Sequence, residues 1–188
     1  AGALPLRVFE QIPEAIQQGH PSFKVFTTNI LPPHPKRAGN RLDFGRIGFA
    51  MEKVAAHGGI MVVHGEDEDL VQFNYERFRE EGRMDGTNMH LVHSKLSELL
   101  AFRRTIALAK AKDAAVYFVH TSAREGVDAI GEARSLGMPV YGETLHQYAC
   151  FNGFDMLAPW VPANTPPRAC CNACSSRDGT STRHAASV

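Results

Sequence analysis

Strand-like and helix-like segments alternate along most of this chain, and this alternation constrains its fold more than any other feature. From residue 6 to about residue 150, short apolar runs are each followed by a longer segment with helical spacing of apolar residues. The runs that predict strands lie at residues 22–28, 60–64, 115–120 and 139–144. Each is apolar on both faces, which is typical of parallel strands covered by helices. The sequence therefore predicts an α/β fold with four parallel strands, as part of a TIM barrel or of a doubly wound sheet.

Helical periodicity predicts the segments that connect these strands. The predicted helices lie at residues 8–16, 44–54, 69–82, 94–111 and 123–136. Gly58-Gly59 ends the second helix in the usual way for a C-terminus. The acidic run 66–69 suits the positive end of a helix dipole, and it lacks the spacing of a calcium-binding EF-hand loop.

Length and composition define the broad class of the protein. The chain has 188 residues, of which 44% are hydrophobic and 21% are charged, and its formal net charge is zero. Such a chain can bury a core, and it has no net charge to favour nucleic acid or an anionic membrane. No apolar stretch is long enough to span a bilayer, and no signal segment precedes the first element. We expect a cytoplasmic enzyme or binding protein.

The periodic pattern stops near Gly153, which divides the chain into residues 1–153 and a tail, residues 154–188. The tail is rich in Pro, Ala, Ser, Thr and Arg, and such a composition predicts disorder. Cys171 and Cys174 have the spacing of half a zinc ribbon, but the other half is missing and an accidental spacing is favoured. The abrupt change of composition also suggests a frameshift near residue 153.

Three metal-capable side chains lie on successive predicted strands. They are Lys24, His64 and His120. Side chains at the C-terminal ends of parallel barrel strands meet at the mouth of the barrel, and imidazole suits a divalent metal, most often zinc. We expect Lys24 to be buried, which is costly unless the amine is paired, neutral or modified. A neutral lysine amine can react with carbon dioxide to form a carbamate, whose carboxylate could bridge two metals.

Each of these residues also has a simpler interpretation. A single histidine at a strand end is more often structural, and a single strand lysine is more often an edge residue with its amine in solvent. Three such residues on three consecutive units favour the metal site. His146 follows a strand, but nothing in the sequence pairs with it. Five other histidines are predicted to be solvated in loops or at helix ends: His20, His34, His57, His90 and His93. A flavodoxin-like domain is disfavoured because no glycine-rich phosphate loop follows a strand.

The motifs around these residues resemble those of the cyclic amidohydrolases, in the hydantoinase and dihydropyrimidinase branch. The matching segments are Ser22-Phe23-Lys24-Val25-Phe26, Val63-His64-Gly65-Glu66-Asp67, Tyr117-Phe118-Val119-His120-Thr121-Ser122 and Val140-Tyr141-Gly142-Glu143-Thr144. The resemblance covers about residues 5–151 and implies part of a (β/α)8 barrel with a binuclear centre, usually of two zinc ions. Lys24 would be the carboxylated bridging ligand, and His64 and His120 would bind one metal.

The same resemblance implies a reaction and a partner. The family opens cyclic amide or imide rings, such as hydantoins or dihydropyrimidines, through attack by a metal-bridging hydroxide. Its members are usually homotetramers. Asn29 stands where the family has a tyrosine that supports the developing oxyanion, so we expect it to contact substrate through a different hydrogen bond.

Two family features are missing from this sequence. The His-x-His pair of the first barrel strand is absent, and so is the aspartate that serves as metal ligand and general base, since neither Asp155 nor Asp178 lies in a plausible strand. The chain therefore represents the middle section of a cyclic amidohydrolase, with a non-catalytic scaffold or an inactive fragment as the alternatives. We expect the 188-residue chain alone to be inactive or nearly so.

Overall fold

Four parallel strands form one sheet in the structure, a computed structural model that describes residues 4–29 and 41–151. The strands are β1 (Ser22–Phe26), β2 (Ile60–His64), β3 (Val116–Phe118) and β4 (Val140–Gly142). Their spatial order is their order in the chain, and every neighbouring pair is parallel. Sequential order is typical of a (β/α)8 barrel, whereas the order reverses within a doubly wound sheet. The predicted α/β class with about four parallel strands is confirmed.

Helices connect the strands as the periodicity predicts. They are α1 (Ile12–Gln17), α2 (Phe44–Ala56), α3 (Glu68–Glu80), α4 (Met89–Val92), α5 (Lys95–Lys112), α6 (Arg124–Ser135) and α7 (His146–Cys150), with 3-10 helices at Leu6–Gln11 and Gly86–Asn88. The first predicted helix begins as a 3-10 helix because Pro13 has no N–H to donate, and the Ile12 N–H bonds the carbonyl of Phe9. None of the helices in the described part of the chain is long and apolar enough to cross a membrane.

The core lies between one face of the sheet and the helices. The strand residues in it are Val25, Met61, Val63, Val116, Phe118 and Val140. Phe102 of α5 stacks on Phe118 with ring centroids 3.9 Å apart and an interplanar angle of 18°. Both rings are almost fully buried. This contact fixes α5 against β3, the strand that leads into His120.

The opposite face of the sheet carries a row of side chains in register. Lys24, Val62, Tyr117 and Tyr141 are paired across the four strands, and all four are half-buried or exposed. In a closed barrel, this face lines the interior.

The predicted domain of residues 1–153 contains all the described elements. The predicted tail at residues 154–188 lies outside the described residues, as do Asp155, Asp178 and the Cys171–Cys174 pair.

Asp67 caps the N-terminus of α3, and its removal should destabilise the protein. Its Oδ1 accepts a hydrogen bond from the backbone N–H of Leu70 at 3.1 Å, and its Oδ2 accepts one from Arg104 at 3.2 Å. We expect Asp67→Ala to lower the free energy of unfolding by about 1–2 kcal/mol, which is typical of a lost N-cap. Urea unfolding measures this loss. Asp69→Ala is the control, since Asp69 is an exposed residue of the same first turn, and an equal loss there would show that the cap is not the cause.

Candidate functional site

His64 and His120 lie together at the C-terminal ends of two neighbouring strands. His64 is the last residue of β2, and His120 follows β3 by two residues, with a left-handed backbone (φ 43°). The Nδ1 of His64 is 2.8 Å from the Nε2 of His120. Two nitrogens on one tetrahedral zinc ion would be roughly 3.3 Å apart, given Zn–N bonds of about 2.0–2.1 Å. The two histidine nitrogens are thus about 0.5 Å closer together than two ligands of one such ion.

Burial and neighbouring charge favour the neutral form of His120. Burial lowers the pKa of its imidazole, and the nearby His64 and the ammonium of Lys24 lower it further, against smaller opposing effects of a backbone hydrogen bond and of Glu66. A neutral imidazole retains the lone pair that a metal requires.

The position of Lys24 differs from the prediction in two respects. Lys24 is exposed, whereas the sequence predicted a buried side chain, because β1 is an edge strand of the described sheet. It also lies before the strand end, since Lys24 pairs with Val62 while Phe26 pairs with His64. Its Nζ is 5.2 Å from the centre of the Phe26 ring. Partial desolvation lowers the pKa of Lys24, and the carboxylate of Glu143 opposes this effect.

Glu66 is a site residue whose place in the acidic run 66–69 predicted only a helix start. Its two carboxylate oxygens accept hydrogen bonds from His64 Nε2 and His93 Nδ1, each at 2.7 Å. Burial alone would raise the pKa of Glu66, but the hydrogen bonds and charges of the two imidazoles outweigh it and lower the pKa to about 2. The i, i+2 spacing of Glu66 from His64 could have indicated this contact, since alternate residues of an extended chain share a face.

His93 is part of the same network, and the prediction that it is solvated was wrong. Only 20% of its side chain is exposed. Its Nε2 is 2.8 Å from the hydroxyl of Tyr75, a buried residue of α3. Burial and the Glu66 carboxylate both raise the pKa of this phenol. His93 thus links the site to the interior of the α3 region.

Asn29, the predicted substrate contact, is held by α3. Its side-chain Nδ2 and its backbone N–H both donate to the carboxylate of Glu68, each at 2.7 Å, and Thr28 donates to the same carboxylate at 2.5 Å. These bonds fix the segment that follows β1 beside the segment that follows β2.

A cavity of about 260 Å³ opens at the histidine pair. The residues lining it include His64, Glu66, His93, Glu98, His120 and Tyr148. Most of these side chains are polar or ionisable, and the volume suits a small molecule. The cavity lies at the carboxyl edge of the sheet, where barrel enzymes bind their substrates.

The donor set for a metal is incomplete within the described residues. No group of three or more His, Cys, Asp or Glu side chains in residues 4–29 and 41–151 could hold a metal ion. The converging nitrogens of His64 and His120 fit a metal-binding pair, and Lys24 on the same side of the sheet is the remaining candidate. That Lys24, His64 and His120 are metal ligands stays a prediction.

Known proteins resemble this chain over part of their length. No protein-family model matches it. A D-hydantoinase from Streptomyces coelicolor is 34% identical over 117 residues, or 62% of this chain and 25% of the relative. An allantoinase from Bacillus velezensis is 29% identical over 117 residues, or 62% and 26% of the two chains. The crystal structure of dihydropyrimidinase from Brevibacillus agri superimposes with a TM-score of 0.74 at 27% identity, over 85% of this chain and 33% of that chain.

These matches agree with the motifs of the sequence. The chain spans about a quarter to a third of the length of the proteins that it matches. The resemblance to the hydantoinase and dihydropyrimidinase family is confirmed over this partial region.

Proposed function

We propose that this chain, a partial relative of the hydantoinases and allantoinases, belongs to a metal-dependent hydrolase that opens cyclic amide or imide rings. The observation that carries this proposal is the 2.8 Å approach of His64 Nδ1 to His120 Nε2 at the carboxyl edge of a parallel sheet. The names of the relatives support ring compounds of the hydantoin, allantoin or dihydropyrimidine type as substrates.

The residues of the site have distinct roles in this proposal. His64 and His120 would hold one divalent cation, for which imidazole ligands favour zinc, and Lys24 as a carbamate would link it to a second. Such cations, when bound, lower the pKa of water and polarise a carbonyl group. The lowered pKa of Lys24 favours the neutral amine that carbamate formation requires. Asn29, fixed by Glu68, remains the candidate substrate contact.

Zinc binding by the purified chain tests the metal centre. We expect His64→Asn and His120→Asn to weaken zinc binding by more than about 10–100-fold, the loss typical of residues that only support a ligand. Lys24→Ala should lower the number of zinc ions bound in bicarbonate buffer. His57→Asn is the matched control, because His57 is exposed and bonds only the Lys53 carbonyl among the described contacts. Equal zinc affinity in His57→Asn and both site variants would contradict the proposal.

Ring opening of hydantoin, dihydrouracil and allantoin tests the reaction. We expect the 188-residue chain to show little or no turnover, because the four strands in residues 4–29 and 41–151 do not close a barrel. Turnover that disappears in Lys24→Ala would overturn this expectation and support the reaction. Zinc-free protein that forms stable oligomers would instead support the non-catalytic scaffold.

We also propose that the working protein is a cytoplasmic homotetramer. Light scattering after size-exclusion chromatography measures the number of subunits, and a monomer that is fully active would contradict the tetramer.

A further inference from the structure

Five polar side chains form an unbroken line of hydrogen bonds through the site. In order they are Tyr75, His93, Glu66, His64 and His120. The four links measure 2.8, 2.7, 2.7 and 2.8 Å. The line runs from a buried phenol of α3 to the histidine pair that faces the cavity.

The central carboxylate fixes the direction of its own two links, and the other two links follow at pH 8, where an ordinary imidazole is neutral. A carboxylate only accepts hydrogen bonds, so His64 Nε2 and His93 Nδ1 must both carry protons. A neutral imidazole has one N–H, so its other nitrogen is an acceptor. Nδ1 of His64 therefore accepts from the Nε2–H of His120, a proton that His120 would carry on Nδ1 instead when its Nε2 binds a metal. Nε2 of His93 accepts from the hydroxyl of Tyr75.

We propose that Glu66, His93 and Tyr75 are positioning residues that hold His64 with its proton on Nε2 and its lone pair on Nδ1. That lone pair points toward Nε2 of His120. The proposed function requires His64 to bind a metal on this side. The use of the lone pair rests on the proposed function, whereas the direction of the hydrogen bonds rests on a carboxylate that only accepts and on two neutral imidazoles.

The far end of the line is anchored by packing. Tyr75 is 2% exposed and belongs to a small apolar cluster with Val71, Phe78 and Val92. Its ring meets that of His93 edge to face, with centroids 5.5 Å apart. The hydroxyl therefore has a fixed position, and it supplies His93 with the donor that keeps the His93 proton on the Glu66 side.

The tautomer of His64 in the metal-free chain tests this inference without reference to activity. Long-range proton–nitrogen spectra of the labelled chain at pH 8 distinguish a protonated ring nitrogen from an unprotonated one. We expect the His64 proton on Nε2 in the wild type. Glu66→Gln should produce a mixture of tautomers, because a carboxamide can donate as well as accept. Tyr75→Phe and His93→Gln should shift the His64 signals in the same direction by less.

Two matched variants serve as controls. His57→Gln and Tyr141→Phe change an exposed histidine and an exposed tyrosine, and both should leave the His64 signals unchanged. A wild-type His64 with its proton on Nδ1 would overturn the inference. Unchanged His64 signals in Glu66→Gln, His93→Gln and Tyr75→Phe would overturn it as well.

Zinc affinity separates this inference from the proposed function. We expect Glu66→Gln to bind zinc about 10–100-fold more weakly than the wild type, as is typical when the partner of a ligating histidine is changed. If the tautomers agree with the prediction but the wild type binds no zinc, the proposed metal centre is wrong, and the role of Glu66, His93 and Tyr75 in orienting His64 stands. If zinc binds to a His64 that is protonated on Nδ1 in the metal-free chain, only the proposed role of these three residues is wrong.

Discussion

Replacing Phe102 with alanine should lower the free energy of unfolding by about 3–5 kcal/mol, which is typical of a large aromatic side chain removed from a core. Phe102 is 1% exposed and stacks on Phe118 of β3. Its removal takes away apolar burial and leaves a cavity between α5 and the sheet. Urea unfolding followed by circular dichroism measures the loss. Phe73→Ala is the control, because Phe73 is 58% exposed on α3 and surface substitutions usually change stability by less than about 0.5 kcal/mol.

A second substitution shows whether the Phe102 ring itself is responsible. A Cβ at Gly65 would lie 2.7 Å from Cε1 of Phe102, so Gly65→Ala should be destabilising in the wild type. In the Phe102→Ala background that contact is gone, and the same substitution should cost clearly less. Equal costs in the two backgrounds would mean that Phe102 does not pack against the glycine between His64 and Glu66, and would contradict the predicted coupling.

The fold was predictable because its main signals are local. Strand β2 has the predicted bounds, residues 60–64, because a run of four apolar residues that follows Gly58-Gly59 and leads into a polar cluster is typical of a short buried strand. The approach of His64 to His120 also follows from the pattern, since both end parallel strands and neighbouring strand ends meet at one edge. The two short helices α4 and α7 were not predicted, because four or five residues carry too little periodicity.

The parts of the site that the sequence did not predict depend on distant contacts. His93 and Glu66 are 27 residues apart and meet only after folding, so no spacing rule connects them. The exposure of Lys24 depends on whether another strand pairs with the open edge of β1. The residues of β1 alone do not determine whether such a strand is present. The residue types alone indicated which side chains could bind a metal. Their burial and their hydrogen-bond partners could be determined only from the folded structure.

Glu98 is another residue of this kind, because it performs a structural task that its position within α5 does not indicate. Its carboxylate accepts hydrogen bonds from the backbone N–H of Ser122 at 3.1 Å, the Ser122 hydroxyl at 2.7 Å and the backbone N–H of Ala123 at 3.0 Å. Ala123 is the N-cap residue of α6 and has no side chain that could cap the helix. Glu98 thus caps, from a different helix, the backbone N–H groups of the two residues that lead into α6, and it fixes the segment that carries His120.

Glu98→Ala should therefore lower the free energy of unfolding by about 2–3 kcal/mol, because a buried N–H left without an acceptor costs about 1–3 kcal/mol and several donors share this carboxylate. Glu98→Gln, which keeps one acceptor oxygen, should cost less. Glu132→Ala is the matched control, since Glu132 is an exposed partner of Arg103. Urea unfolding gives the ranking, and a loss at Glu132 equal to that at Glu98 would contradict the capping role. Zinc affinity should fall in Glu98→Ala but not in Glu132→Ala, because only Glu98 holds the segment that positions His120.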